Sequence, residues 1–525
     1  MQRPVETFTP EERALLESRF TNLDEPVFAL VNLPETVKGA LFARYSRYPG
    51  TLRRLFLDEF ADSLDAVAAP FEGSEGRRAA ELYDRIFLGY GDDSVAQLGG
   101  MHIACEWVSN VMTKVLQRPR LAAYLEQSTR YLAWDEPMPG GGFRYHREES
   151  LGPSYEQAMD RIFTIYSESI PEVAAWVAEA YPAADGESEA AHARAVKAKA
   201  FDLLRGLLPA SSLAHMGIYA TGQTYEQLIL HLLAHPLPEA REYGRMILRT
   251  VQQVMPSFVA RVERPDRGGE WIEFLERREQ VGRRWSERLG IGPEPGADPG
   301  PSVELLAVEG SEQQLLAALL FEASGRSERE ISDAVSSMST DDRAAALTDL
   351  VGDRRNRRHR PGRGLEAVRY RFEVVADYGA FRDLQRHRML TVQWQTLSPH
   401  LGAGVPGEVE QAGRGDAYRE ALERSATEWQ RLVDAGLAVQ APYALCLGYR
   451  IRFILDLNAR EAMQLIELRS GREGHPTYRA VAIAMRDRIA AVHPAVAEMM
   501  THVDEESEPR LERMMSELRA ESRQA

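Results

Sequence analysis

Two short stretches of this 525-residue sequence carry the side chains best suited to chemistry on an anion. In the first, Arg118-Pro119-Arg120 is followed after seven residues by Ser128, with Glu126 and Arg130 flanking the serine at alternate positions. On an extended segment Glu126, Ser128 and Arg130 share one face. That face offers a carboxylate acceptor, a hydroxyl and a guanidinium fork, a set suited to a sugar hydroxyl and a phosphate. A salt-bridged surface strand shows the same pattern. In the second stretch, Arg386-His387-Arg388 is followed at the same interval by Thr396, and the alternate positions hold Trp394 and Ser398. The basic triplet is kept there, whereas the set of acid, hydroxyl and arginine is not. One motif met twice implies a tandem of two diverged copies of one domain.

The elements that must position these residues are mostly helical by period. Val108, Val111, Met112, Val115 and Leu116 recur on one face ahead of the first triplet, as do Ala462, Leu465 and Ile466 with Leu468 and Arg469 in the second half. Strands are the minority. Tyr370, Phe372 and Val374 alternate with Arg371, Glu373 and Val375 and lead into a helix ending near Arg386, while Val303 begins another strand-like run. Thr9 is placed to cap a helix opening Pro10-Glu11-Glu12. The Pro/Gly-rich stretch 289–301 can bury little and reads as a linker. The expected organisation is an N-terminal domain over 1–288, a linker over 289–301, a C-terminal domain over 302–503 and a charged tail over 504–525. Each domain is expected to be α+β, helix-rich around a small, mostly antiparallel sheet.

A formal net charge of −16 argues against a general nucleic-acid coat, because polyanion binding needs a basic surface. The densest basic run, from Arg354 to Arg363, suits a cofactor pyrophosphate, a polyglutamyl tail or RNA, and equally a solvated loop. Cys105 and Cys446 stand in apolar contexts without ligand spacing, so buried free thiols are the commoner fate. His102, His215, His231 and His400 are scattered, and no metal is expected. Gly140, Gly141 and Gly142 form a turn without the strand-to-helix context of a dinucleotide fingerprint. The start lacks a long apolar leader segment, and the stretch from Ala438 to Leu455 is too polar for a membrane span. A cytoplasmic protein with no membrane partner is the expectation.

Taken together, these motifs resemble the flavin-dependent thymidylate synthases (ThyX). That family's signature is Arg-His-Arg, seven residues, then Ser, continued as Glu-x-Ser-x-Arg-Tyr, and residues Glu126 to Tyr131 match the continuation. The family also places a His-x-Thr-x-x-Glu-His segment ahead of the triplet. Glu366 stands at its glutamate place, with Pro361 and Arg363 at the histidine and threonine places, and Asp92 to Gln97 is the related segment of the first half. Downstream, an Ala-Arg-x-x-Leu-Pro turn and an Asn-Ala-Arg helix ending in Leu-Arg divide between the halves. The first half keeps Arg205 to Pro209 of the turn and then departs, with Ala234 where the helix arginine would sit. The second has Pro442 in the turn but keeps Asn458-Ala459-Arg460 and Leu468-Arg469.

The resemblance implies a deoxyuridine monophosphate (dUMP) site at Glu126, Ser128, Arg130, Arg205 and Arg469, with Arg130 and Arg469 as the catalytic electrostatic groups. It implies FAD binding by Arg386, His387, Arg388, Glu366, Asn458, Arg460 and Gln464. NADPH and methylenetetrahydrofolate would be co-substrates. Because family sites are shared between subunits of a tetramer, the complementary losses imply one composite site, in a homodimer acting as a pseudo-tetramer. Flavin-dependent modification of another pyrimidine nucleotide, or a binding protein that kept the fold without turnover, are the rival expectations.

Overall fold

The computed structural model describes residues 3–61, 97, 99–130, 132–183, 188–292 and 299–506. The chain forms two compact units, and neither is contiguous. The first comprises Met1–Ser169, Leu207–Glu294 and Ala417–Cys446; the second comprises Ile170–Gly206, Pro295–Asp416 and Leu447–Ala525. Each unit thus takes in one segment from the other half of the sequence.

In the first unit, β1 (Val27–Leu30), β2 (Gly100–Ser109), β3 (Ala122–Glu126) and β4 (Leu213–Thr221) form an antiparallel sheet in the order β1-β2-β4-β3. The register of β2 on β4 shifts between Cys105 and Val108, and Trp107 takes the left-handed φ of 57° at this bulge. His215 holds the strained residue by accepting from its backbone N–H through Nδ1 at 3.1 Å. Arg144 lies buried between Trp107 and Trp134, 5.2 Å from each ring, and burial pulls its guanidinium down to about 10. Leu16, Phe20, Phe28, Leu41, Leu52 and Phe56 belong to the core beside β1. The first helix is capped as expected, with Thr9 and Glu12 forming a reciprocal capping box.

The second unit repeats the pattern. There β5 (Ser302–Glu309), β6 (Arg369–Asp377), β7 (Leu390–Trp394) and β8 (Arg450–Asn458) pair antiparallel in the order β5-β6-β8-β7. Tyr370, Phe372 and Val374 are buried on β6, and Ile451, Phe453, Leu455 and Leu457 are buried on β8, which gives the period-two alternation of a half-covered sheet. Helices follow the same strands in both units: Asn110–Leu116 after β2 and Tyr378–Leu384 after β6, then Gly222–Leu233 after β4 and Ala459–Arg469 after β8. The protein is therefore α+β, with two diverged copies of one domain, each built on a four-stranded antiparallel sheet.

The exchanged segments are well anchored. Helix Glu189–Leu204 in the second unit brings Lys199 to 3.5 Å from Glu408, and the Gly448 N–H donates to the Gly206 carbonyl at 2.9 Å. In the first unit Arg161 pairs with Glu420 through two nitrogens at 2.9 and 3.0 Å, and the Tyr443 hydroxyl donates to the buried Glu239 at 2.6 Å.

Two expectations need correction. Val108 is the last but one residue of β2 rather than part of the following helix, because Ser109 caps that helix by accepting from the Met112 N–H. The helix arginine of the second half matches Leu232 in the first, not Ala234, counting the same distance from the N-caps Thr221 and Asn458. Leu232 is buried, so that place has become core.

Candidate functional site

A cluster of guanidinium groups gathers around Asp383 in the second unit. Arg205, in the short 3-10 turn after helix Glu189–Leu204, donates from Nη1 to Asp383 Oδ2 at 3.4 Å, and its Nη2 lies 3.7 Å from Asp377 Oδ1. Asp377 is fixed because it caps helix Tyr378–Leu384, accepting from the Ala380 N–H at 2.8 Å. Gly379 permits the close approach: a Cβ there would stand 2.8 Å from Asp377 Oδ1 and 3.0 Å from Arg205 Nε and Nη2. The Arg386 guanidinium lies 3.9 Å from the other oxygen of Asp383. Burial lowers the Arg469 guanidinium, with Asp383 opposing and Arg386 adding to that shift. Arg205 is buried, yet its Nη2 donates no hydrogen bond.

His387 joins the triplet to the helix Ala459–Arg469 that follows β8. Its Nδ1 lies 2.8 Å from Glu461 Oε1, and Arg469 Nε donates to its Nε2 at 3.2 Å. Arginine can only donate, so Nε2 is the acceptor and Nδ1 carries the proton given to Glu461. Burial lowers the His387 pKa, Glu461 opposes it, and Arg469 and Arg388 add to it. The ring is thus neutral, buried and engaged on both nitrogens. Glu461 and Arg469 stand near opposite ends of one helix, so a single imidazole fixes the loop of Arg386 and Arg388 against the whole element. In the first unit Pro119 replaces this histidine, and Thr224 in the first turn of helix Gly222–Leu233 instead donates to the Leu121 carbonyl at 3.2 Å.

The remaining residues of the second half fall into place nearby in sequence order. Asn458 caps the Ala459–Arg469 helix by accepting from the Glu461 N–H at 2.9 Å. Arg460 donates to the Pro361 carbonyl at 3.0 Å and to Glu366 Oε1 at 3.3 Å, and Glu366 also meets Arg363 at 3.2 Å. Gln464 lies half-buried on the same helix. Of the basic run, Arg354 is a core residue: its buried guanidinium grips Glu467, donating from Nη1 at 2.7 Å and from Nη2 at 2.5 Å. Arg355, Arg357, Arg358 and Arg360 are exposed.

In the first unit Glu126, Ser128 and Arg130 do not share one face of a strand. β3 ends at Glu126, and Thr129 and Arg130 form a turn. Glu126 points into the interior, where Oε2 accepts from Lys114 at 2.8 Å and from Gln117 at 3.0 Å. Ser128 and Arg130 are half-buried on a loop held by the Ser128 N–H on the Ser46 carbonyl at 3.1 Å and by Gln127 Nε2 on the Tyr48 carbonyl at 2.7 Å. The segment from Asp92 to Ala96, and Tyr131, lie outside the described residues. Both cysteines are buried and free, and burial pushes the Cys446 thiol up to about 12, away from nucleophilic thiolate.

Asp383, Asp377, Gly379 and Glu461 are site-building residues that spacing alone does not single out. A signal was present for two of them. Asp377 ends an alternating strand where an N-cap is due, and Asp383 precedes Arg386 by one helical turn.

The repeated strand order, the triplet loop and the Asn-Ala-Arg helix joined to it through His387 define a tandem protein of the ThyX type. A family model described as "Thymidylate synthase complementing protein" (Thy1) matches residues 54–257 and 305–495, and the chain belongs to that family. It is 36% identical to a UPF0159 protein of Chlamydia muridarum over 98% of both chains. It is also 30% identical to a UPF0159 protein of Thermoplasma acidophilum, over 92% of this chain and 98% of that one. Among solved structures, a UMP/dUMP methylase, PolB, from Streptomyces cacaoi, bound with 5-Br dUMP, aligns with 40% of this chain and 98% of its own at 20% identity and a TM-score of 0.32.

Proposed function

We propose that this protein methylates a pyrimidine nucleotide, dUMP, at C5 in a flavin-dependent reaction, with methylenetetrahydrofolate as carbon donor, NADPH as reductant and a cytoplasmic address. The observation that carries this reading is the convergence of Arg205, Arg386 and Arg469 on Asp383, beside the His387 that holds the triplet loop. These groups suit FAD and a nucleotide phosphate. They are guanidinium donors, which match phosphate oxygens in bidentate fashion, and Arg205 Nη2 has donor capacity left over.

In this reading Arg386 and Arg388 bind the flavin diphosphate, while Arg460 and Glu366 shape the adjoining wall with Asn458 and Gln464. His387 acts by position, since both of its nitrogens are engaged within the protein. Arg205 and Arg469 bind the nucleotide phosphate; in the first unit, taken by itself, Ser128 and Arg130 are the substrate residues that the resemblance implies, with Glu126 supporting their loop. FAD supplies the reducing equivalents when bound. The protein's own share is to orient the uracil and to oppose negative charge developing on it with the Arg469 guanidinium. No thiolate is required, in keeping with the raised pKa of the Cys446 thiol. A homodimer would supply the four domain copies of a pseudo-tetramer.

The test is complementation. Expression in a thymidine-requiring strain should restore growth without thymidine, and Arg205→Ser with Arg469→Ser should abolish the rescue. Abundant folded protein without rescue would contradict thymidylate synthesis.

A further inference from the structure

Helix Glu270–Leu289 in the first unit carries an apolar face that nothing in the described residues covers. Trp271, Phe274, Val281, Trp285 and Leu289 recur at three- and four-residue steps with Arg278 between them, which is one stripe along the helix. Only Leu275, beside that stripe, is buried. Phe274 is 58% exposed, Trp285 52% and Leu289 63%. Scattered exposed apolar residues are ordinary, but three aromatic and two aliphatic side chains aligned on one face of a helix mark a contact surface.

The flanking charges say what fits it. The first half of the helix is acidic on balance, with Glu270, Glu273, Glu276 and Glu279 against Arg277 and Arg278, and the second half is basic on balance, with Arg283, Arg284 and Arg288 against Glu287. A second helix with this charge order, laid antiparallel, places its basic end on the acidic end of the first. With Phe274 facing the partner copy at position 285, Trp271 faces position 288, Arg278 faces 281, and the pairs 270 with 288 and 273 with 284 bring acid to base along one edge. A parallel pair would set like charges side by side. The Arg278 guanidinium lies 6.0 Å from the Phe274 ring. Arg288 lies similarly over Trp285 at 4.8 Å.

We propose that helix Glu270–Leu289 is a self-association surface that pairs antiparallel with the same helix of a second copy of this chain, in an isologous contact centred between residues 279 and 280. This proposal does not rest on the catalytic reading.

Cross-linking of the full-length protein tests it. With Phe274→Cys and Trp285→Cys together, oxidation should give a disulfide-linked dimer. The two positions lie about 16 Å apart along one helix, too far to bridge within a chain, and the native cysteines are buried. Phe274→Cys alone should give little dimer, because the antiparallel register separates its two copies. In sedimentation, Trp271→Glu with Phe274→Glu and Trp285→Glu should halve the mass of the wild-type assembly. Glu273→Arg should weaken association, and adding Arg284→Glu should restore it. Efficient cross-linking by Phe274→Cys alone, no cross-linking by the double variant, or an unchanged mass for the triple variant would overturn the proposal and assign the face to another occupant.

Discussion

Arg205 donates to Asp383 across 178 residues of sequence, within a single compact unit. The pair brings an arginine from the first half of the chain to the helix that precedes the Arg-His-Arg triplet of the second. Asp383→Ala would leave Arg205 and Arg386 facing each other without the shared carboxylate. The expected cost is about 2 kcal/mol in urea unfolding, below the roughly 3–5 of a fully buried pair because Asp383 keeps some solvent access. A variant as stable as wild type would show that the contact contributes little.

Gly379 should be intolerant of even one methyl group. Alanine there would push against Asp377 and the Arg205 guanidinium at 3.0 Å or less. Gly379→Ala is expected to weaken nucleotide binding several-fold with a smaller loss of stability, measured by titration and by thermal unfolding of the same sample.

The neutral His387 gives a signed pH dependence. Its folded pKa lies below the ordinary value of about 6.5, so its contribution to stability is complete above that value and is lost as pH falls through the folded pKa. Acid would also turn the Nε2 acceptor of Arg469 into a donor. Other buried histidines titrate in the same direction, so the informative quantity is a difference. His387→Gln should lose less stability between pH 7.5 and 5.5 than wild type does, and an equal loss would contradict the assignment.

The basic run divides into two kinds of residue. Arg354→Met should destabilise the protein by about 3–5 kcal/mol by stranding the buried Glu467. Exchanging the exposed Arg357, Arg358 and Arg360 for Ser should leave stability within about 0.5 kcal/mol and reduce retained flavin. Unchanged flavin content would remove these three from the cofactor reading.

Much of this arrangement was legible in the residues. The alternation of Tyr370, Phe372 and Val374 located β6, the periodic apolar residues after Asn458 located the helix that closes the site, and Thr9 located the first cap. What was not legible depended on tertiary context. The Glu-x-Ser-x-Arg spacing is right for a strand, but alternation describes a strand only while the ladder lasts, and β3 stops at Glu126. Nothing local distinguishes Arg354 from its exposed neighbours, because Glu467, its buried partner, lies 113 residues away. The segment exchange between units was equally silent, since the residues that helix Glu189–Leu204 buries, such as Val196, Ala200, Phe201 and Leu204, are apolar and name no partner sheet.

In the proposed function the guanidinium cluster around Asp383 serves flavin and a pyrimidine nucleotide. Spectroscopic titration of the purified protein with FAD, then with dUMP, measures it most directly. Saturable binding of FAD, a further change in the flavin spectrum on adding dUMP, and loss of that second change in Arg205→Ser and Arg469→Ser are the expected results. Binding of neither ligand by folded protein would contradict it.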